Sequence, residues 1–257
     1  MKFQTANVKL ALQLYSVRAA GDFAQRCDLA RRAGYAWVET EVTYGLSADD
    51  FITVLDQQQL RLISMHVELS DLAANFAGLV EVLQRCGCTT IVMPWLDESE
   101  RPQQKTGWIR LAQQLQNYAQ QLAAHGIRLA YHNHAFEMAE LEPGYTVLDC
   151  VFEHAPALYW QADLAWLARA RADVLALLKR YQDRLISVHV KDWHGQGASA
   201  AENDWAILGR GLLPWPDYLA ALPDTLCDFI VEHDQPIAPL TMASAGIQQL
   251  QTWLAQA

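Results

Sequence analysis

The sequence places its chemistry in short apolar stretches that each end in one or two polar or ionisable residues. In Leu185-Ile-Ser-Val-His-Val-Lys-Asp192 the β-branched composition is that of a short buried strand. Side chains alternate faces along a strand, so His189 and Lys191 point the same way and set an imidazole beside an ammonium. A strand that did only packing would have no use for such a pair, because burying polar groups costs free energy unless partners are supplied. Six further stretches end alike and contribute Gln13, Glu39, His66, His132, Asp163 and Glu232. Imidazoles and carboxylates brought together repel or lose solvation unless something neutralises them, and a divalent cation does so directly. A nitrogen and oxygen set without thiolates suits Mn2+ first, with Mg2+, Co2+ or Zn2+ as alternatives. The competing reading is a hydrogen-bonded ionic network without a metal.

The elements that must position these residues alternate through the chain. Strands are predicted at Val8–Tyr15, Tyr35–Thr40, Arg61–Val67, Thr89–Met93, Ile127–His132, Leu158–Asp163, Leu185–Lys191 and Cys227–Glu232. Helices are predicted at Asp22–Ala33, from Ser47 onward, and at Asp71–Cys86, Thr106–His125, Gly144–His154, Ala172–Tyr181, Pro216–Leu222 and Ala243–Ala255. Gly34 and Gly126 supply helix ends, Ser47 caps a helix whose first turn carries Asp49 and Asp50, and Pro94 breaks the fourth strand. Strict alternation, with no glycine-rich dinucleotide turn after the first strand, implies parallel pairing through right-handed crossovers. Eight such units close into an α/β fold of the (β/α)8 TIM-barrel kind, a single domain over residues 1–257, with an open doubly wound sheet as the alternative. Closure would carry the seven polar strand ends to one mouth. The connection Trp193–Leu213, with His194-Gly-Gln-Gly and Gly209-Arg-Gly, is long for a barrel loop and reads as a lid or substrate loop.

Composition narrows the partners. With 257 residues, 52% of them hydrophobic, the chain can bury a large core, and a formal charge of −10 opposes a nucleic-acid or anionic-membrane surface. The segment Met1–Lys9 lacks the apolar run of a secretory signal, and no stretch of about 18 apolar residues occurs, so a cytoplasmic location is expected. Cys27, Cys86, Cys88, Cys150 and Cys227 are odd in number and scattered, which points to reduced core thiols.

Gln13-Leu-Tyr-Ser-Val-Arg18, Tyr131-His-Asn-His-Ala-Phe-Glu137, His189-Val-Lys-Asp192, Gly209-Arg-Gly-Leu-Leu-Pro-Trp-Pro216 and Val231-Glu-His-Asp234 together resemble the sugar phosphate isomerase/epimerase family. This is the xylose isomerase-like TIM-barrel group that includes inosose dehydratase and the endonuclease IV relatives. The resemblance implies one divalent metal held from strands five to eight. Asp163, His189 and Glu232 match three of the four ligands. Where many members carry a glutamate on strand five this chain has His132, in a Tyr-His-Asn-His motif similar to the inosose dehydratase-like branch. Either His132 or Glu137, folded back from the loop, completes the shell, with His132 favoured.

That substitution bears on mechanism. The resemblance implies proton transfer by a pair of metal-bound glutamates, with the metal stabilising an enediolate, and only Glu232 of that pair is present. Its partner is expected among Glu137, His134 and Lys191, the last with a pKa depressed by the neighbouring cation. Gln13, Glu39 and His66 are expected to bind substrate hydroxyls, and Trp95, Trp193 and Trp205 to stack on a sugar, with Trp193 the preferred contact. Asp234 shares the parity of Glu232 and is expected to orient His189 or the substrate. The function implied is isomerisation or epimerisation of a ketose or related small carbohydrate. β-Elimination from an inosose or 3-keto-glycoside and a non-catalytic carbohydrate-binding barrel stand as alternatives. No phosphate-binding loop is evident, a nuclease is opposed by the acidic charge, and a homodimer fits the resemblance.

Overall fold

The computed structural model describes residues 2–3 and 7–256, so Met1 and residues 4–6 of the leading segment lie outside the described residues. Eight parallel strands form a closed barrel: β1 (Lys9–Gln13), β2 (Trp37–Glu41), β3 (Arg61–His66), β4 (Thr90–Met93), β5 (Arg128–His132), β6 (Tyr159–Asp163), β7 (Leu185–Val190) and β8 (Asp228–Val231). Each pairs with its sequence neighbours, and β8 returns to β1 through Leu10 beside Phe229 and Ala11 beside Ile230. Closure leaves no sheet edge, which excludes the open doubly wound alternative.

Helices jacket the barrel. They are α1 (Phe23–Ala33), α2 (Ala48–Gln57), α3 (Leu69–Ala74), α4 (Phe76–Cys86), α5 (Lys105–Ala123), α6 (Val147–His154), α7 (Leu164–Arg169), α8 (Val174–Tyr181), α9 (Trp215–Ala221) and α10 (Pro239–Gln256). Their starts are written locally. Asp22 and Gln25 form a capping box at α1, Ser47 caps α2 through the Asp50 amide, and Thr146 with Asp149 forms a second box at α6. The single predicted helix Asp71–Cys86 is two helices, because Asn75 leaves helical geometry at φ −138°, ψ 40° and stands between them as the C-cap of one and the N-cap of the next. The predicted helix after β6 is likewise preceded by α7, which Asp163 itself caps through the Trp166 amide.

The main apolar core lies between strands and helices, where Leu12, Val38, Met65, Ile91, Tyr131, Trp160, Val188 and Phe229 face outward into the jacket. Inside the barrel, Ala11, Ile63 and Ile230 form a separate small plug with Trp37 against it. Above that plug the inward positions turn polar. Strand register sets them level in pairs: Gln13 beside Glu39, His132 beside Gln161, and Asp163 beside His189.

The long connection after β7 contains a short antiparallel ladder, Asp192–Trp193 against Trp205–Ala206. Asp192 anchors it by accepting from the amides of Trp193, Gly209, Gly211 and Leu213. Gly211 is required there, since a Cβ at that position would sit 2.1 Å from the Asp192 carboxylate.

A candidate metal centre at the carboxyl mouth of the barrel

Four consecutive strands converge on one point. His132 ends β5, Asp163 ends β6, His189 is the fifth residue of β7 and Glu232 follows β8, held by its amide to the Val190 carbonyl at 3.2 Å. Each offers one ligand atom, these atoms all lie within 4.8 Å of one another, and all four residues are buried. His66, His132 and His189 form a second, overlapping set at the same spacing.

Beneath the cluster Glu39 is the hub. Its carboxylate accepts from Gln13 Nε2 at 2.8 Å, Ser64 Oγ at 2.5 Å and Gln161 Nε2 at 2.6 Å, and lies 2.6 Å from His189 Nε2 and 3.0 Å from His66 Nε2. Gln161 Oε1 lies 2.8 Å from His66 Nε2 and 3.1 Å from His132 Nδ1. The lone pairs and protons of this layer are largely spent on one another. Glu39 holding His189 by Nε2 leaves the ring's Nδ1, 2.8 Å from Glu232 Oε2, on the side of the other ligands. A carboxylate that fixes a histidine's far nitrogen is the usual support for a metal-binding ring.

Charges in the site are strongly coupled. Burial disfavours ionised His189, but Glu232 and Glu39 on either side push its pKa up to about 10. Burial would also raise Glu39 and Glu232, yet the neighbouring imidazoles, and Lys191 beside Glu232, hold both well below the ordinary carboxylate value. His132 is held well below the usual histidine value by burial and by the other imidazoles. Asp163 is raised by burial, with the Lys191 ammonium, 3.1 Å from its Oδ2, opposing.

Several expectations are corrected by this geometry. Lys191 lies 3.1 Å from Asp163, 2.8 Å from Glu232 and 2.7 Å from Asp234, and although burial lowers its pKa, the three carboxylates hold it well above the ordinary lysine value. Asp234 pairs with Lys191 and lines the cavity, whereas the two carboxylates on His189 are those of Glu39 and Glu232. Glu137 is buried away from the cluster: its oxygens accept from Tyr131 Oη at 2.9 Å and the His134 amide at 2.8 Å. Tyr131 has the opposite parity to His132, so Glu137 is drawn to the jacket side and burial raises its pKa to about 7. Gln13 and Glu39, both fully buried, support the imidazoles from below and do not form the wall of the cavity.

That cavity opens above the cluster with a volume of about 600 Å³, and His66, His132, His134 and Glu232 reach it. Trp193 does not, because the ladder aligns it with Trp205 outside the cavity wall; Trp95 and Trp166 line it instead. Gln161, Ser64 and Asn133 were not among the expected site residues. Gln161 and Ser64 stand two positions before Asp163 and His66, so the same period-two parity marks them as inward. Asn133 accepts from Trp160 Nε1 at 2.8 Å and from the Asp163 amide at 3.2 Å, tying the jacket to a cluster residue.

A closed parallel barrel with a nitrogen and oxygen ligand cluster at its carboxyl mouth defines a class of (β/α)8 proteins whose active sites occupy that mouth. Residues 27–256 match the xylose isomerase-like TIM barrel family, and the chain belongs to it. No curated protein matches it by sequence. Solved structures share the fold at low identity. A sugar phosphate isomerase/epimerase from Parabacteroides distasonis ATCC 8503 aligns at 18% identity over 96% of this chain and 95% of that one, with a TM-score of 0.74. The probable 3-DHS dehydratase AsbF from Bacillus anthracis aligns at 13% identity over 95% and 99%, with a TM-score of 0.73. The IolI protein, whose structure holds a zinc atom, aligns at 14% identity over 97% and 99%, again with a TM-score of 0.73.

Proposed function

We propose that the protein is a divalent-metal-dependent isomerase or epimerase acting on a ketose or related carbohydrate, with His132, Asp163, His189 and Glu232 as the metal ligands. The observation that carries this reading is the mutual approach, within 4.8 Å, of four buried ligand atoms from four consecutive strands. The residues fit such an ion: two imidazoles and two carboxylates, buried with their ligand atoms facing one another, suit a borderline divalent metal. The zinc atom of IolI supports it by analogy of fold. When bound, the ion would polarise a substrate carbonyl and stabilise an enediolate as a Lewis acid.

The chain's own groups supply the rest. Glu232 lines the cavity as an ionised carboxylate and accepts the proton from the carbon next to the substrate carbonyl. Glu232 returns that proton to the adjacent carbon, while His134, whose imidazole also lines the cavity, in its neutral form donates a hydrogen bond to the substrate oxygen. Lys191, buried behind Glu232 and bonded to Asp234, fixes the Glu232 carboxylate and acts as a positioning residue. Glu137 has no part in proton transfer.

β-Elimination from an inosose or 3-keto-glycoside uses the same pair, the proton taken by Glu232 passing to the departing oxygen that His134 hydrogen-bonds, and the large cavity favours it as the second reading. Metal-reconstituted protein incubated with ketoses, inososes and 3-keto-glycosides separates the two, because elimination creates a new conjugated absorbance and isomerisation does not. Turnover that survives Glu232→Gln would contradict both, and ligand binding without any turnover would make the protein a binder.

A further inference from the structure

The mouth of the cavity is built for more than one sugar ring. Its volume of about 600 Å³ lies within the range that encloses drug-sized ligands, while the ligand cluster occupies only its floor. Two of the largest exposed apolar side chains stand in its wall, Trp95 at 41% and Tyr15 at 37% exposure, from the connections after β4 and β1. Both rings are held in place. The Arg18 guanidinium lies 3.9 Å from the Tyr15 ring centre and donates to the Tyr15 carbonyl at 2.9 Å. Arg101 lies 4.6 Å from the Trp95 ring, which also meets the His134 ring at 4.6 Å nearly at right angles. Phe136 also meets the Trp95 ring, at 5.6 Å, yet the exposure of both aromatic side chains leaves surface for a ligand, and a pre-positioned aromatic ring costs little ordering entropy when another stacks on it.

Charge at the mouth selects against anions. Glu41, Glu68 and Asp71 line it, and Arg18, the one arginine in the wall among the described residues, is already engaged with Tyr15. Burial raises Glu68, and the nearby carboxylates of Asp71, Glu100 and Asp97 raise it further, as expected of an acidic rim. A phosphate or carboxylate on the substrate would enter against this field.

We propose that the substrate is an uncharged glycoside, its reacting sugar on the cluster at the cavity floor and its second ring stacked on Trp95 at the mouth. This rests on the elimination reading above, in which the reacting sugar carries its ketone away from the glycosidic carbon, and narrows the substrate class of that reading. The step concerned is recognition alone: Trp95 is a specificity residue that discriminates a glycoside from its free sugar.

The test is a ligand-observed NMR titration of the Mn2+-loaded protein with glucose, galactose and mannose, their phenyl β-glycosides and their 6-phosphates. At least one phenyl glycoside is expected to bind tenfold or more tightly than its free sugar, and each 6-phosphate more weakly than its neutral parent. Trp95→Ala should reduce the glycoside preference below threefold while leaving the free sugar within twofold, and Trp95→Phe should restore it. Equal affinity for glycoside and free sugar, equal weakening of both by Trp95→Ala, tighter binding of a 6-phosphate, or no binding of any compound would overturn the proposal. Metal uptake measured on the same samples reports separately on the centre: a glycoside preference without a bound ion would contradict the metal reading and leave the Trp95 subsite standing.

Discussion

The two faces of the barrel strands meet opposite surroundings. Outward positions such as Leu12, Tyr131, Trp160 and Phe229 pack into an apolar jacket, whereas inward positions one residue away, Gln13, His132 and Gln161, enter a hydrogen-bonded polar layer with Glu39 at its centre. The Ala11, Ile63 and Ile230 plug, with Trp37 against it, makes the interior apolar on the amino side of that layer. The contrast separates two jobs within single strands. Burial of the jacket holds the fold, and the inner layer spends its polar groups on fixing imidazoles, a layout that trades stability for position.

The largest effect predicted on stability belongs to the jacket. Trp160 is fully buried, packs on Phe152 and Tyr181, and donates to Asn133, so Trp160→Ala should cost about 3–5 kcal/mol by denaturant unfolding. Glu39→Gln should behave differently: metal affinity falls about 10–100-fold by calorimetric titration, with a smaller shift in the unfolding midpoint than Trp160→Ala gives. If Glu39→Gln proved the more destabilising of the two, the division between faces would fail.

Smaller effects sharpen the jacket side. Asp149 accepts from the Thr146 amide at 2.8 Å, from Arg180 at 2.7 Å and from Tyr181 Oη, and although its burial acts the other way, these bonds lower its pKa. A folded value below the unfolded one means stability that is present above about pH 4 and lost as pH falls through the folded value. Asp149→Asn should therefore cost about 1–2 kcal/mol at pH 7, with the gap from wild type closing in unfolding curves below about pH 4. Ser47→Ala, which removes the exposed cap that accepts from the Asp50 amide, should cost about 1 kcal/mol and leave metal affinity unchanged.

The barrel was legible because β-branched runs, helix caps and glycine stops repeat in register with the fold, and parity carried His132, Asp163, His189 and Glu232 to one mouth. Three kinds of feature escaped. Charges within a cluster depend on the nearest partners: three carboxylates gather around Lys191 and hold its pKa up, a grouping that composition cannot rank. Loop side chains obey no period, so Glu137 turned to Tyr131 and Trp193 into a ladder against Trp205. Asp192 gathers amides from residues 17 to 21 positions later in the chain, a contact that exists only after the connection folds.

The central claim is that the four inner-face residues at the mouth hold one ion. Anomalous diffraction from crystals soaked in Mn2+ or Zn2+ tests it directly. The account predicts a single peak per chain with His132, Asp163, His189 and Glu232 all at about 2.0–2.2 Å. A peak on other residues, or none where solution titration detects bound metal, would contradict it.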